Sequence, residues 1–244
     1  MASLIDASQA SWPQIEAAIA QGLFAVLPVG ALEQHGAHLP LTTDTVLATG
    51  VARGLAEGIG ALLLPTIAYG DAWTAEGWAG TLSLSPETLR ATVADLGRGL
   101  QRMGVKGLIT LNGHFGNREP IALAARTLSE LGFPVLHLDY PQLEVFAVEV
   151  CESTPAGPGF YHADEVETSM MLALAPDTVA MDKAAPEYPE FPKTFGLEPM
   201  KLSAFNRSGV FGDPRPATAA KGEHLIAAIV AECVRLAEVW KAKY

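Results

Sequence analysis

Glu33, His35 and Asp44 fall within twelve residues of one another, directly after the strand-like apolar run 24–29. Two carboxylates and an imidazole form the donor mixture that divalent cations accept. Their position after a strand matters as much, because loops at the carboxyl ends of strands are where α/β proteins build their sites. In an extended stretch Glu33 and His35 point the same way, since side-chain direction repeats every two residues. Asp44, at the start of the next helix-like segment, is placed to fold back, and a carboxylate that bridges is the usual means of holding two cations close together.

Two further segments carry ligand-type residues. In 109–117 an apolar strand ends in Asn112, Gly113 and His114, with Gly113 and Gly116 permitting close backbone approach. From 161 onward a helix-like pattern turns Val166, Met170, Met171 and Leu174 inward, and Glu167 shares the side of Met170 and Met171. An inward carboxylate requires a partner, for which a metal ion serves. His38 reads as a loop hydrogen-bonding residue, and His137 and His224 receive no role. The two cysteines, Cys151 and Cys233, match no zinc or redox spacing and read as free thiols.

The elements that must position these residues alternate. Strand-like runs at 22–29, 61–67, 107–112 and 134–139 are separated by helix-like stretches near 43–57, 86–103 and 117–131. Ser85, Pro86 and Glu87 make a helix start: a capping hydroxyl, proline in the first turn and an acidic residue behind it. Continuous apolar strands between helices predict a parallel sheet covered on both faces. Residues 183–200 hold four prolines with Tyr188, Phe191 and Phe195 between them, which reads as an ordered loop that either closes a pocket or packs its rings on the core. A long amphipathic helix near 217–241 completes a single domain spanning 1–244. Trp73, Trp78, Phe115 and Tyr161 are candidates for an apolar wall around a planar substrate.

Composition narrows the function classes. A formal net charge of −11 argues against nucleic-acid binding, which requires clustered Lys and Arg. No apolar run is long enough for a membrane span and no targeting segment is visible, so a cytoplasmic location is expected. Phosphoester hydrolysis lacks support, with no Gly-rich phosphate loop and no clustered Arg.

Residues 29–41 together with Asp44 resemble the opening signature of the creatininase (creatinine amidohydrolase) family. The segments 80–84, 112–117, 162–169 and 212–214 resemble later motifs of that family in the same order. The resemblance implies a three-layer α/β/α sandwich with a mainly parallel central sheet, often in a homo-hexamer. It implies two divalent metal ions, zinc foremost and manganese or iron otherwise, with Glu33, His35, Asp44, His114 and Glu167 as ligands and Asp44 as the bridge. His162 matches the proton-shuttling histidine. Two positions depart from the pattern. Creatininase proper has a carboxylate ligand where this chain has Gly116, the glycine version resembling formamide deformylases and a peptide-trimming branch, and Asp164 stands where many members have glycine.

The expectation is therefore a metal-dependent hydrolase that cleaves a C–N bond of a small amide, formamide or cyclic amide by a metal-activated hydroxide, with His162 protonating the leaving nitrogen. Creatinine amidohydrolase proper, a peptide-trimming enzyme of the same family and a non-catalytic metal-binding homologue are the alternatives.

Overall fold

A computed structural model describes residues 4–244. Five parallel strands form one sheet: β1 (Ile5–Asp6), β2 (Ala25–Val29), β3 (Leu62–Leu63), β4 (Leu108–Asn112) and β5 (Val135–Leu138), in the spatial order β1-β3-β2-β4-β5. The central strands β2 and β4 are buried along their whole length and pair in register, Ala25 with Leu108 through Val29 with Asn112. That register brings the ends of both strands, and the loops that follow them, to one edge of the sheet.

Alternate strand residues feed two apolar layers, as the pleat requires. Val26, Ile109 and Leu111 face a layer built with α2 (Thr43–Ile59), α6 (Glu165–Leu174) and α7 (Ala219–Lys241). Ala25, Leu27, Val29 and Leu108 face the other, built with α3 (Pro86–Met103) and α4 (Arg118–Glu130). The result is the expected α/β/α arrangement around a parallel sheet. β3 is shorter than the apolar run 61–67 suggests. Pro28 in β2 and Pro65 after β3 lack the N–H that a ladder needs, and regular pairing of the two strands stops before them.

The helix start at Ser85 is as expected: its hydroxyl accepts the Thr88 N–H, and Gly104 closes α3 in the left-handed conformation (φ 87°). Three elements have no counterpart in the sequence reading, namely β1, α1 (Trp12–Ile19) and α5 (Leu143–Val150). Each helix buries a single residue, Ala18 in α1 and Ala147 in α5, so neither shows the apolar stripe from which a helix is read. In α7 the buried residues Leu225, Ile229, Cys233, Ala237 and Trp240 recur every three or four positions, as the pattern at 217–241 predicts. Gly222 lets α7 lie directly on α6, where any Cβ would overlap the Ser169 carbonyl oxygen. No helix among the described residues is long and apolar enough to cross a membrane.

Candidate metal centre

The carboxyl ends of β2 and β4 deliver Glu33 and His114, and the first turn of α2 delivers Asp44 between them. Glu167, in the first turn of α6, completes the group from the far side. Glu33, His35, Asp44, His114 and Glu167 are all buried. Their ligand-type atoms gather into Glu33–Asp44–His114 and His35–Asp44–Glu167, which share Asp44, and His162 gathers with Glu33 and His35. Asp44 turns one oxygen to each side: Oδ1 lies 3.1 Å from His35 Nε2, and Oδ2 lies 3.2 Å from His114 Nδ1. Glu33 Oε1 is 3.1 Å from His114 Nδ1, and Glu167 Oε2 is 3.5 Å from His35 Nε2.

Backbone carbonyls hold both imidazoles in place. His35 Nδ1 donates to the Glu33 carbonyl at 3.2 Å, and His114 Nε2 donates to the Asp71 carbonyl at 2.8 Å. A carbonyl only accepts, so the opposite ring nitrogen faces the carboxylates in each case, the usual arrangement behind a metal-binding histidine. His35 Nε2 and Asp44 Oδ2 are buried without a properly oriented hydrogen bond, although each lies close to an oppositely charged group. Buried polar atoms are rarely left so. Donor atoms that converge without pairing with each other fit a cation placed among them.

The charges agree with this. Burial alone would lower the pKa of His35, but Asp44 and Glu167 outweigh it and raise it to about 10. Burial likewise opposes the shift of His114, which Glu33 and Asp44 carry well above its ordinary value. Burial pushes the Glu167 carboxyl up to about 8, with Asp44 and Asp164 adding to it against the pull of His35. Asp44, despite its burial, is held below the usual carboxylate range by His35 and His114. Three carboxylates thus demand positive charge at this point, and a divalent cation supplies it without protonated imidazoles.

His162 stands beside the group, its Nδ1 3.7 Å from Glu33 Oε1 and its ring centroid 4.4 Å from that of His35. Burial, reinforced by His35, lowers its pKa to about 4. Gln34, which the sequence reading left without a role, lies behind this ring. Its Oε1 accepts the Gly36 N–H, and its Nε2 donates to the Gly209 carbonyl and lies 2.8 Å from His162 Nε2. These neighbours orient the amide so that it donates to the ring, which leaves Nδ1 to face the carboxylates. Such a role is invisible in sequence, since Gly209 lies 175 residues away.

The remaining expectations divide. His38 Nε2 pairs with Thr168 Oγ1 at 2.9 Å, a loop-to-helix hydrogen bond, and His137 Nδ1 pairs with Thr110 Oγ1 at 3.0 Å. Asp164 caps α6 by accepting the Val166 and Glu167 N–H groups, and Ala163 beside it takes a left-handed φ of 52° and donates to Glu167 Oε2 at 2.6 Å. Asp164 therefore serves the helix that presents Glu167. At Gly116 a Cβ would overlap the Asp71 carbonyl oxygen and lie 2.8 Å from His114 Nε2, so this backbone accommodates no side chain there.

A cleft of about 280 Å³ opens onto the group and is lined by Phe115, Phe160, Tyr161, Phe195 and Leu202 among others. The expected apolar wall needs correction. Phe115 and Tyr161 line the cleft, but Trp73 and Trp78 do not. Trp73 lies under Lys201, whose Nζ is 3.8 Å from the ring centroid, and Trp78 Nε1 donates to the Arg207 carbonyl. The proline-rich segment 183–200 packs Phe191 and Phe195 against Phe160 and Phe205, and Phe195 reaches the cleft wall. It is at once a packed surface segment and part of the pocket.

Comparison with known proteins agrees over the whole fold. The family model described as creatininase, creatinine amidohydrolase, matches residues 8–237. Creatinine amidohydrolase of Pseudomonas putida is 33% identical over 242 residues, covering 93% of each chain. A mycofactocin precursor peptide peptidase of Mycobacterium ulcerans (strain Agy99) is 34% identical over 244 residues, covering 94% of this chain and 86% of the relative. A solved mutant creatininase of Zn-Zn type superposes with a TM-score of 0.84 at 32% identity, covering 96% of this chain and 98% of the other. With its sheet order, its buried carboxylate–imidazole group and a match along nearly its full length, this chain belongs to the creatininase family of hydrolases.

Proposed function

We propose that this protein is a dinuclear metal-dependent amidohydrolase acting on a C–N bond of a small amide, formamide or cyclic amide. The observation that carries this reading is the pair of carboxylate–imidazole triads sharing Asp44, each oxygen of which faces a different histidine. Glu33, Asp44 and His114 would hold one ion, and His35, Asp44 and Glu167 the other. Zinc suits this nitrogen and oxygen donor set, with manganese or iron as alternatives. When bound, such ions polarise a substrate carbonyl and bring the ionisation of water towards neutral pH.

The chain's own residues supply the rest. His162 is neutral at pH 7, and Nδ1 is the nitrogen through which it exchanges protons with reacting groups, because Gln34 holds Nε2. The departing nitrogen, a poor leaving group as an anion, takes the Nδ1 hydrogen, and the proton that the attacking water loses replaces it. Burial of the group keeps bulk water from screening these charges. Phe115, Phe160 and Tyr161 give the cleft apolar walls for the body of the substrate. The glycine-only backbone at Gly116 denies the site the extra carboxylate of creatininase proper, which favours an amide other than creatinine. The likeness to a peptide peptidase supports peptide trimming as the second reading.

Two measurements test the proposal. Thorough chelation should abolish hydrolysis of small formamides, lactams or peptides, and Zn²⁺ or Mn²⁺ should restore it. His162→Ala should keep its metal content and lose about 10²- to 10⁴-fold in turnover. Full activity after chelation, with no metal detected, refutes the metal dependence. A His162→Ala protein as active as the parent refutes the assigned proton transfer.

A further inference from the structure

The charge lining the cleft is one-sided. Glu33, Asp44, Asp139, Glu144 and Glu167 all contribute to it, and Arg118 is the one Lys or Arg among its lining residues. Arg118 opens α4 and is held from two sides. Its Nε lies 2.6 Å from Asp139 Oδ2, and its guanidinium carbon lies 4.5 Å from the centre of the exposed Phe115 ring. Asp139 is itself anchored, its Oδ1 accepting from Asn112 Nδ2 at 2.8 Å, and the same Nδ2 donates to the His114 carbonyl at 2.7 Å. A short chain of polar contacts thus ties the guanidinium to the residue that presents a metal-facing imidazole.

The tip of Arg118 nevertheless remains open, with its side chain 51% exposed. The contact to Asp139 uses one edge of a group that carries five N–H donors. Among the described residues, no hydrogen bond is formed from its terminal nitrogens. A solvent-facing arginine ordinarily has to give up rotamer freedom when it binds. Here the aromatic face and Asp139 have already imposed the order, so a ligand meets a preset planar fork. Planar forks of this kind recognise carboxylates. The ligand carboxylates Glu33, Asp44 and Glu167 would be neutralised by cations under the proposed function, and Asp139 is paired with Arg118 itself. Glu144 also stands on this wall, and Arg118 is the one Lys or Arg there with which an incoming anion can pair.

We propose that Arg118 is a specificity-determining residue that binds a free carboxylate on the substrate, remote from the bond that is cut. The preferred substrates are then amides bearing a carboxylate, either N-acyl amino acids or the carboxyl ends of short peptides. This rests on the amidohydrolase reading and narrows its substrate class.

The test uses zinc-loaded protein, wild type against Arg118→Gln and Arg118→Lys. The probes are the N-formyl derivatives of glycine, β-alanine and γ-aminobutyrate, together with glycylglycine and alanylglycine, each compared with its carboxamide. Wild type should favour the acids over the carboxamides by about 10- to 100-fold in kcat/KM. Arg118→Gln should lose that preference, the KM of the acids rising to that of the carboxamides, and Arg118→Lys should recover part of it. A preference confined to the formyl series identifies N-acyl amino acids, and one confined to the dipeptides identifies peptide ends. An equal preference in Arg118→Gln, or a wild type that favours carboxamides, overturns the proposal. Absence of zinc-dependent turnover with every probe counts against the hydrolase reading, and calorimetric binding of the same acids then decides the role of Arg118. Binding at least 10-fold tighter to wild type than to Arg118→Gln upholds it, and equal or no binding overturns it.

Discussion

Adding zinc to the metal-free protein at pH 7 should expel about two to three protons per chain, because metal ligands must be deprotonated to bind. The count follows from the buried charges. His35, with its pKa raised to about 10, is protonated at pH 7 and gives up one proton. His114, raised well above its ordinary value by Glu33 and Asp44 against the effect of burial, gives up a second. Glu167, pushed by burial to about 8, gives up most of a third. Asp44 is held below the usual carboxylate range and contributes none. Competition from the His35 proton alone weakens apparent affinity at pH 7 by about 10³-fold, or about 4 kcal/mol. Between pH 7 and pH 8 the overall affinity for the two ions should therefore rise by about 10²- to 10³-fold. Zinc titration calorimetry in buffers of different ionisation enthalpy measures both quantities. Fewer than one proton released, or an affinity that is flat across this range, refutes the argument that protons on His35, His114 and Glu167 stand in for the cations. Asp44→Asn supplies an internal check, since losing that charge should reduce proton release and metal affinity together.

Other consequences are simpler to read out. Gly222→Ala places a methyl group against the Ser169 carbonyl oxygen and should cost about 3 kcal/mol in denaturant unfolding, with the melting temperature falling accordingly. Gln34→Leu leaves the Gly36 N–H and the Gly209 carbonyl without their buried partner, so stability should fall by about 2 kcal/mol and turnover should drop while metal content is kept. Burial, with the nearby His35, depresses the pKa of His38 to about 4 against an ordinary 6.5. Below pH 6.5 the unfolded chain takes up a proton that the folded chain refuses, so stability is lost as pH falls. The stability advantage of wild type over His38→Gln should shrink by up to about 3 kcal/mol between pH 6.5 and pH 4, and an advantage constant with pH contradicts the assigned shift.

Much of the architecture was legible from local pattern. The strands β2 and β4 are short, mainly apolar runs, and Ser85, Pro86 and Glu87 mark the start of α3. α1 and α5 escaped notice because each buries only one alanine, so no stripe marks their inner side. β1 is a two-residue edge strand, which exists only because β3 is there to pair with it. Trp73 and Trp78 drew attention as bulky aromatics, but a ring's residue type does not tell which surface it covers.

For the metal centre, the sequence by itself determined the donor types and their placement after strands or at helix starts, because both follow from short-range spacing in the chain. Tertiary structure decided which donors face one another. Glu33 meets His114, and His35 meets Glu167, only because β2 lies beside β4 and α6 packs in one layer with α2. The Asp71 carbonyl that orients His114, the Gln34 amide that holds His162 and the Asp139 carboxylate that fixes Arg118 are contacts across 43, 128 and 21 residues of chain. No local period encodes such distances. They arise when the two apolar layers close on the sheet and leave these polar atoms with few other partners.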